Sequence, residues 1–241
     1  MTLTGKVALV TGGSRGIGQA VAVELARSGA TVAFCDIREP DPAVAQSGRY
    51  YCADVGDRAS VEQLFSDVLR EFGRLDILVN NAATNIRRPL VDLDVADVEK
   101  VWAVALWGVF HCSQLAARQM VKQGNGSIVV ISSVHAERAF PNNTAYNGAK
   151  AAVNHMALTW AAELAPHNVR VNVIEPGWTD TPGERSFYTE EQIREQGKKL
   201  PLGRLAKPAE IASAVRYLVS DEAVYMTGSC LRVDGGVLLP G

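Results

Sequence analysis

Two kinds of segment alternate along the chain. Short runs rich in Val, Ile, Leu and Ala, apolar at nearly every position, occupy residues 6–11, 31–36, 50–54, 75–80, 127–132, 169–175 and 229–233. Amphipathic stretches of helical length lie between them, at 18–28, 60–72, 95–122, 145–165 and 208–220. Continuous rather than alternating hydrophobicity suits strands covered on both faces, as in a parallel sheet. Strand followed by helix, repeated along the chain, specifies right-handed crossovers and a doubly wound α/β sheet of about seven strands. No Pro/Ser-rich linker or break in composition divides the sequence, so residues 1–241 read as a single domain of Rossmann type. The least regular stretch, 179–207, is polar and charged, with a short helix expected over 190–199. It follows the sixth strand, on the side where open α/β sheets bind ligands, and reads as a flexible substrate flap.

Composition removes several classes of function. The chain is 47% hydrophobic and 21% charged, ordinary values for a soluble globular protein. Its 241 residues can bury a sizeable core without disulfides or metals. A formal charge of −2 and the lack of any Lys/Arg cluster leave no electrostatic case for nucleic acid or an anionic membrane. The N-terminal MTLTGKVALV runs straight into the first strand, with no apolar stretch long enough for a signal peptide or a membrane span; a cytoplasmic protein is expected. Cys35, Cys52, Cys112 and Cys230 form no CxxC pair and read as reduced core cysteines. His111, His155 and His167 have no metal-ligand spacing, so no metal site is expected.

The first strand ends in Gly12-Gly13-Ser14-Arg15-Gly16-Ile17-Gly18, and helix follows. Glycines at 12, 16 and 18 permit a tight turn and close approach of backbone to a pyrophosphate, with the free N–H groups of the helix end facing the anion. The spacing differs from the ordinary Gly-x-Gly-x-x-Gly fingerprint, and a glycine turn alone also marks plain strand-to-helix connections. Its place after the first strand of an α/β pattern gives it weight. Asp36 closes the second strand, where a carboxylate accepts hydrogen bonds from both adenosine ribose hydroxyls and repels a 2′-phosphate; this favours NAD over NADP. Arg15 and Arg38 argue the other way, since either guanidinium can pair with that phosphate. Asp54 and Val55, then Asn80-Asn81-Ala82-Ala83, follow the third and fourth strands and should border the same crevice.

Ser133 follows the fifth strand, and Tyr146 and Lys150 lie one helical turn apart on one face. A free phenol, with a pKa of about 10, is protonated at neutral pH. A nearby ammonium and the cationic ring of an oxidised nicotinamide favour the phenolate by roughly one to three units. Tyr146 can then take an alcohol proton as hydride leaves, or return it in reduction. Ser133 can hydrogen-bond the substrate oxygen where charge develops, and Lys150 can also reach the nicotinamide ribose. His135 reads as a surface residue or a neighbour of the site; Trp102, Trp107 and Trp160 read as core or subunit packing.

Thr-Gly-Gly-Ser-Arg-Gly-Ile-Gly, Asn-Asn-Ala-Ala, Ile-Ser-Ser, Tyr-Asn-Gly-Ala-Lys and Pro-Gly-Trp-Thr-Asp-Thr, in this order, resemble the short-chain dehydrogenase/reductase family from Leu3 to about Val237. The resemblance selects Ser133 over Ser132, since serine and tyrosine stand thirteen residues apart in that family. It implies that Asn81 lines the adenosine side of the cofactor, and that Thr179 and Thr181, after Pro176-Gly177, hold the nicotinamide carboxamide. It also implies a homotetramer with long fourth and fifth helices between subunits, which the apolar run 101–110 suits. One position departs from the pattern. The family carries asparagine where this chain has Ala105, in Val104-Ala105-Leu106-Trp107-Gly108, and that asparagine helps to hold a water of the proton relay beyond the lysine. Slow turnover is the expected consequence. Ser-Ser-Val-His and the ending Val-Asp-Gly-Gly-Val-Leu-Leu-Pro are similar to bacterial glucose dehydrogenases, implying a sugar or polyol. A 3-oxoacyl thioester reductase using NADP(H), or a weakly catalytic dinucleotide-binding regulator supported by Ala105, are the alternatives.

Overall fold

The computed structural model describes residues 2–239; residues 1, 240 and 241, the ends of the expected 1–241 unit, lie outside the described residues. Seven strands form one sheet: β1 (Val7–Thr11), β2 (Thr31–Asp36), β3 (Arg49–Cys52), β4 (Ile77–Asn80), β5 (Gly126–Ile131), β6 (Val169–Pro176) and β7 (Cys230–Val233). Their order is β3-β2-β1-β4-β5-β6-β7, and every pairing is parallel. The order reverses between β1 and β4, and the crevice at such a switch point is where doubly wound sheets hold ligands.

The helices are α1 (Gly16–Arg27), α2 (Pro42–Ala45), α3 (Arg58–Phe72), α4 (Val95–Trp102), α5 (Val109–Gln123), α6 (Thr144–Leu164), α7 (Glu190–Gly197) and α8 (Pro208–Val219). Alternate residues of each central strand serve opposite faces. Ala8, Val10, Ile77, Val79, Val129 and Ile131 join Val21 and Leu25 of α1 and Ile211 and Val215 of α8. Leu9, Leu78, Ile128 and Val130 join Leu64 of α3, Cys112 of α5 and Val153 of α6. Both faces are thus covered, which explains strands that read as unbroken apolar runs. Local signals set several helix ends. The Asp57 carboxylate accepts from Ala59 N at the start of α3, and Gly73 closes that helix with a φ of 73°.

Three expectations need correction. The stretch 95–122 is not one α-helix: a π-helical turn, Ala103–Gly108, separates α4 from α5. There the chain backs onto the loop after β3, where a β-carbon on Gly108 would meet Val55 Cγ2 at 2.8 Å. Local periodicity does not reveal that contact, and π-turns commonly mark functional sites. The third strand ends at Cys52, so Asp54 and Val55 belong to the turn beyond it. Cys35 and Cys112 are buried core residues, but Cys52 and Cys230 are exposed, because β3 and β7 are the edge strands. Among the described residues, no helix is long and apolar enough to cross a membrane, and no group of three or more His/Cys/Asp/Glu could hold a metal ion.

Candidate active site

The carboxyl ends of β1 to β6 open onto two adjoining hollows. One, of about 310 Å³, lies over β1 and β2 and is lined by Gly12, Arg15, Gly16, Ile17, Asp36, Arg38, Asp54, Val55, Asn81, Ala82 and Thr181. Its floor admits no side chain: Gly12 has a φ of 63°, and a β-carbon on Gly18 would lie 2.1 Å from Gly12 O. Asn81 ties the turn to β4, donating from Nδ2 to Thr11 O and Gly12 O at 3.0 Å each. The N-terminal end of α1 faces this floor. Bare backbone, a helix N-terminus and a carboxylate at the β2 end fit a dinucleotide: pyrophosphate over Gly12–Gly16 and adenosine ribose at Asp36. Gly18 and Ser14 do not line the hollow. Gly18 lies beneath it, while buried Ser14 donates from its backbone N–H to Asp36 Oδ2 at 3.3 Å and from its hydroxyl to Arg38 O at 3.0 Å. Asp36 Oδ1 also accepts from Arg38 N at 3.2 Å, which fixes the carboxylate at the β2 end.

The second hollow, of about 650 Å³, continues over β4 to β6 and contains Ser133, Tyr146, Lys150, Gly177, Thr179 and Thr181 in its lining. Ser133 follows β5 and Tyr146 projects from the first turns of α6, so packing of α6 against the sheet brings the two together. Lys150, one turn on, is fully buried and donates from Nζ to Ile131 O at 2.8 Å. Its ammonium lies 5.4 Å from the centre of the Tyr146 ring. Burial draws the lysine down to about 8. Burial also pushes the Tyr146 phenol up to about 12, against an opposing pull from the Ser133 hydroxyl. The expected lowering of the tyrosine is therefore not a property of the protein alone. Desolvation outweighs the Ser133 hydrogen bond and the Arg87 charge, the two influences that favour the phenolate.

Ala105 is fully buried in the π-turn, packed with Val101 of α4 and with Ala145 and Ala149 of α6, and Tyr146 borders the same cluster. The side chain at this position is part of an apolar joint between helices. Trp102 Nε1 closes the joint by donating to Ala145 O at 3.0 Å.

Several cavity residues lack a sequence signal of their own. The loop after β4 contributes Asn85 and Arg87, and the 179–207 segment contributes Glu184, Phe187 and Tyr188, with Trp178 just before it. His135 is closer to the chemistry than expected. Its ring stacks on Phe140 at 4.2 Å and meets Tyr146 edge-on at 5.3 Å, and its Nδ1 lies 2.6 Å from Asn147 Oδ1. Burial holds it below the usual histidine range. A residue four places after a strand end is visible in sequence, but its partners Phe140 and Asn147 come from separate segments.

A family model described as enoyl-(acyl carrier protein) reductase matches residues 12–238. The chain is 40% identical over 248 residues to the 3-oxoacyl-acyl-carrier-protein reductase FabG of Thermotoga maritima, covering 99% of this chain and 100% of the relative. It is 38% identical over 239 residues to cis-4-hydroxycyclohexanecarboxylate dehydrogenase of Sinomonas cyclohexanicum, covering 96% of each. The ligand-free aldohexose dehydrogenase of Thermoplasma acidophilum superposes with a TM-score of 0.94 at 33% identity, covering 99% of this chain and 96% of that one. The chain is thus an oxidoreductase of hydroxyl and keto groups and belongs to the short-chain dehydrogenase/reductase family.

Proposed function

We propose that the protein transfers hydride between NAD(H) and a small secondary alcohol or ketone, with a sugar or polyol as the first substrate class, and that Tyr146 is the proton acceptor. One observation carries the reading: Ser133, Tyr146 and buried Lys150 converge in a cavity that continues the glycine-floored groove. When bound, the nicotinamide nucleotide supplies the hydride acceptor or donor. Gly12, Ser14, Arg15, Gly16, Ile17 and Gly18 form its pyrophosphate turn, Asp36 takes the ribose, and Asp54, Val55, Asn81 and Ala82 border the adenosine end. Gly177, Thr179 and Thr181 hold the carboxamide. The substrate loses a proton from oxygen to Tyr146 and a hydride from carbon; Ser133 hydrogen-bonds the oxygen as its charge changes. Lys150 holds positive charge beside the phenol and the nicotinamide ribose.

Residues 1–241 act in this reading as one cytoplasmic catalytic domain, with 179–207 as a flexible cover, assembled as a homotetramer. Arg15 and Arg38 beside Asp36, together with the 40% identical relative, favour a second reading: a 3-oxoacyl thioester reductase using NADP(H). Titrating NADH and NADPH and following nicotinamide absorbance with sugars, polyols and 3-oxoacyl esters separates the two. Tighter NADH and turnover of polyols support the first; tighter NADPH and turnover of thioesters overturn it. In the first, alcohol oxidation climbs with pH. It needs the phenolate, and burial raises the phenol's pKa, so protonation limits the rate at neutral pH.

A further inference from the structure

Arg87 stands where three loops meet over the substrate cavity. Its own loop follows β4, Arg88 N donates to Asn142 O at 2.9 Å, and Asn85 Nδ2 donates to Asn143 Oδ1 at 2.7 Å. The guanidinium lies over the Phe187 ring at 3.9 Å and within 5.2 Å of the Tyr188 ring, so the third loop covers one of its faces. Stacking of this kind uses the face of the fork and leaves its in-plane donors free. Those donors are under-used. Arg87 Nε is buried without a hydrogen-bond partner, and Nη2 stands 3.6 Å from Glu184 Oε2, too far for a hydrogen bond. Glu184 is itself held elsewhere, by a 2.8 Å hydrogen bond from Trp178 Nε1.

A second buried group without a partner belongs to the same wall of the cavity. Asn85 Oδ1 is buried with no donor, although its amide nitrogen is satisfied, and both residues line the cavity that holds Tyr146. A buried donor and a buried acceptor left open are costly unless a ligand completes them. The cation also acts on the reacting centre, since its charge bears on both Tyr146 and His135.

We propose that the substrate is a small hydroxy acid or oxo acid whose carboxylate is received by Arg87, with Asn85 Oδ1 accepting a hydrogen bond from a further hydroxyl. This rests on the reading of Tyr146 as proton acceptor and narrows its substrate class. A carboxylate matches the planar fork and brings one negative charge. A phosphate would bring nearly two beside Glu184, which repels them. Arg87 is a specificity residue in this account, and stacking on Phe187 holds it in position.

The test uses the full-length protein with NAD and three hydroxy acids: 3-hydroxybutanoate, gluconate and 4-hydroxycyclohexanecarboxylate. Each is compared with its primary amide, and glycerol 3-phosphate is the phosphate probe. The unmodified protein is expected to favour at least one acid over its amide by about 10- to 100-fold in kcat/KM, mostly through KM. Arg87→Gln should bring that ratio close to one, and Arg87→Lys should restore part of it. Equal use of acids and amides by the unmodified protein overturns the inference without recourse to any variant. So does an acid preference that survives in Arg87→Gln, or a preference for the phosphate. Tyr146-dependent turnover of neutral alcohols with no acid preference defeats this inference alone. Absence of Tyr146-dependent hydride transfer across the panel defeats the functional reading as well.

Discussion

At Gly18 an added β-carbon would fall 2.1 Å from a backbone oxygen, whereas Phe187, across the cavity, leaves 41% of its surface in solvent. The nucleotide groove and the substrate cavity share one sheet edge and are built by opposite means. The groove is backbone packed on backbone, held by the Asn81 side chain and closed to substitution. The cavity is walled by side chains from three loops, joined by ring stacking, a long ion pair and a few hydrogen bonds. A cofactor common to many reactions suits the first construction. A substrate particular to one reaction suits the second, because loops can change without disturbing the sheet.

The largest effect expected from this contrast lies on the cavity side. Tyr146→Phe removes one hydroxyl, so turnover should fall by about 10²–10⁴ while nucleotide affinity holds. Stopped-flow rates and fluorescence titration read the two separately, and a parallel loss of affinity would show that the two regions are not independent. Next comes the floor of the groove. Gly18→Val should cost about 1–3 kcal/mol or more through overpacking, together with nucleotide binding. Phe187→Ala should change stability by less than about 0.5 kcal/mol. Thermal melts with and without nucleotide check the pair; equal losses would erase the distinction drawn here.

The groove and the strands were legible in the sequence for a physical reason. A turn that excludes side chains must be glycine, and strands covered on both faces must be apolar throughout, so each leaves a compositional trace. Tyr146 and Lys150 were legible as a pair because a helix fixes the four-residue step, whereas Ser133, outside that helix, was picked out by the family resemblance. Arg87, Asn85 and Glu184 were not legible. Each is an ordinary polar residue in a loop, and only the meeting of segments remote in sequence brings them together. The π-turn was hidden likewise, since it answers to Val55 and α6 rather than to its own residues. The tyrosine's raised pKa was missed because desolvation belongs to the assembled cavity.

A smaller effect sharpens the nucleotide side. Asp36→Ala removes ribose hydrogen bonds and repulsion of a 2′-phosphate, and should narrow an NADH preference about tenfold, or ~1.4 kcal/mol. Paired titrations of NADH and NADPH measure it, and an unchanged ratio would assign the choice to Arg15 or Arg38. The smallest effect concerns the joint between the regions. Ala105→Asn must fit an amide between Val101, Ala145 and Ala149, and should lower stability by about 1 kcal/mol. If a relay gap at Ala105 slows the enzyme, turnover rises despite that cost; a folded variant with unchanged turnover makes Ala105 packing alone.

The central claim is that the Tyr146 cavity passes hydride between a substrate carbon and a nicotinamide. Alcohols and hydroxy acids carrying deuterium on the carbinol carbon, incubated with NAD and the protein, test it directly through mass analysis of the recovered nucleotide. The account predicts deuterium on the nicotinamide ring of the product, with Tyr146→Phe reducing its formation at least about a hundredfold. Deuterium appearing only in solvent, or labelled nucleotide forming at the native rate in Tyr146→Phe, would contradict it.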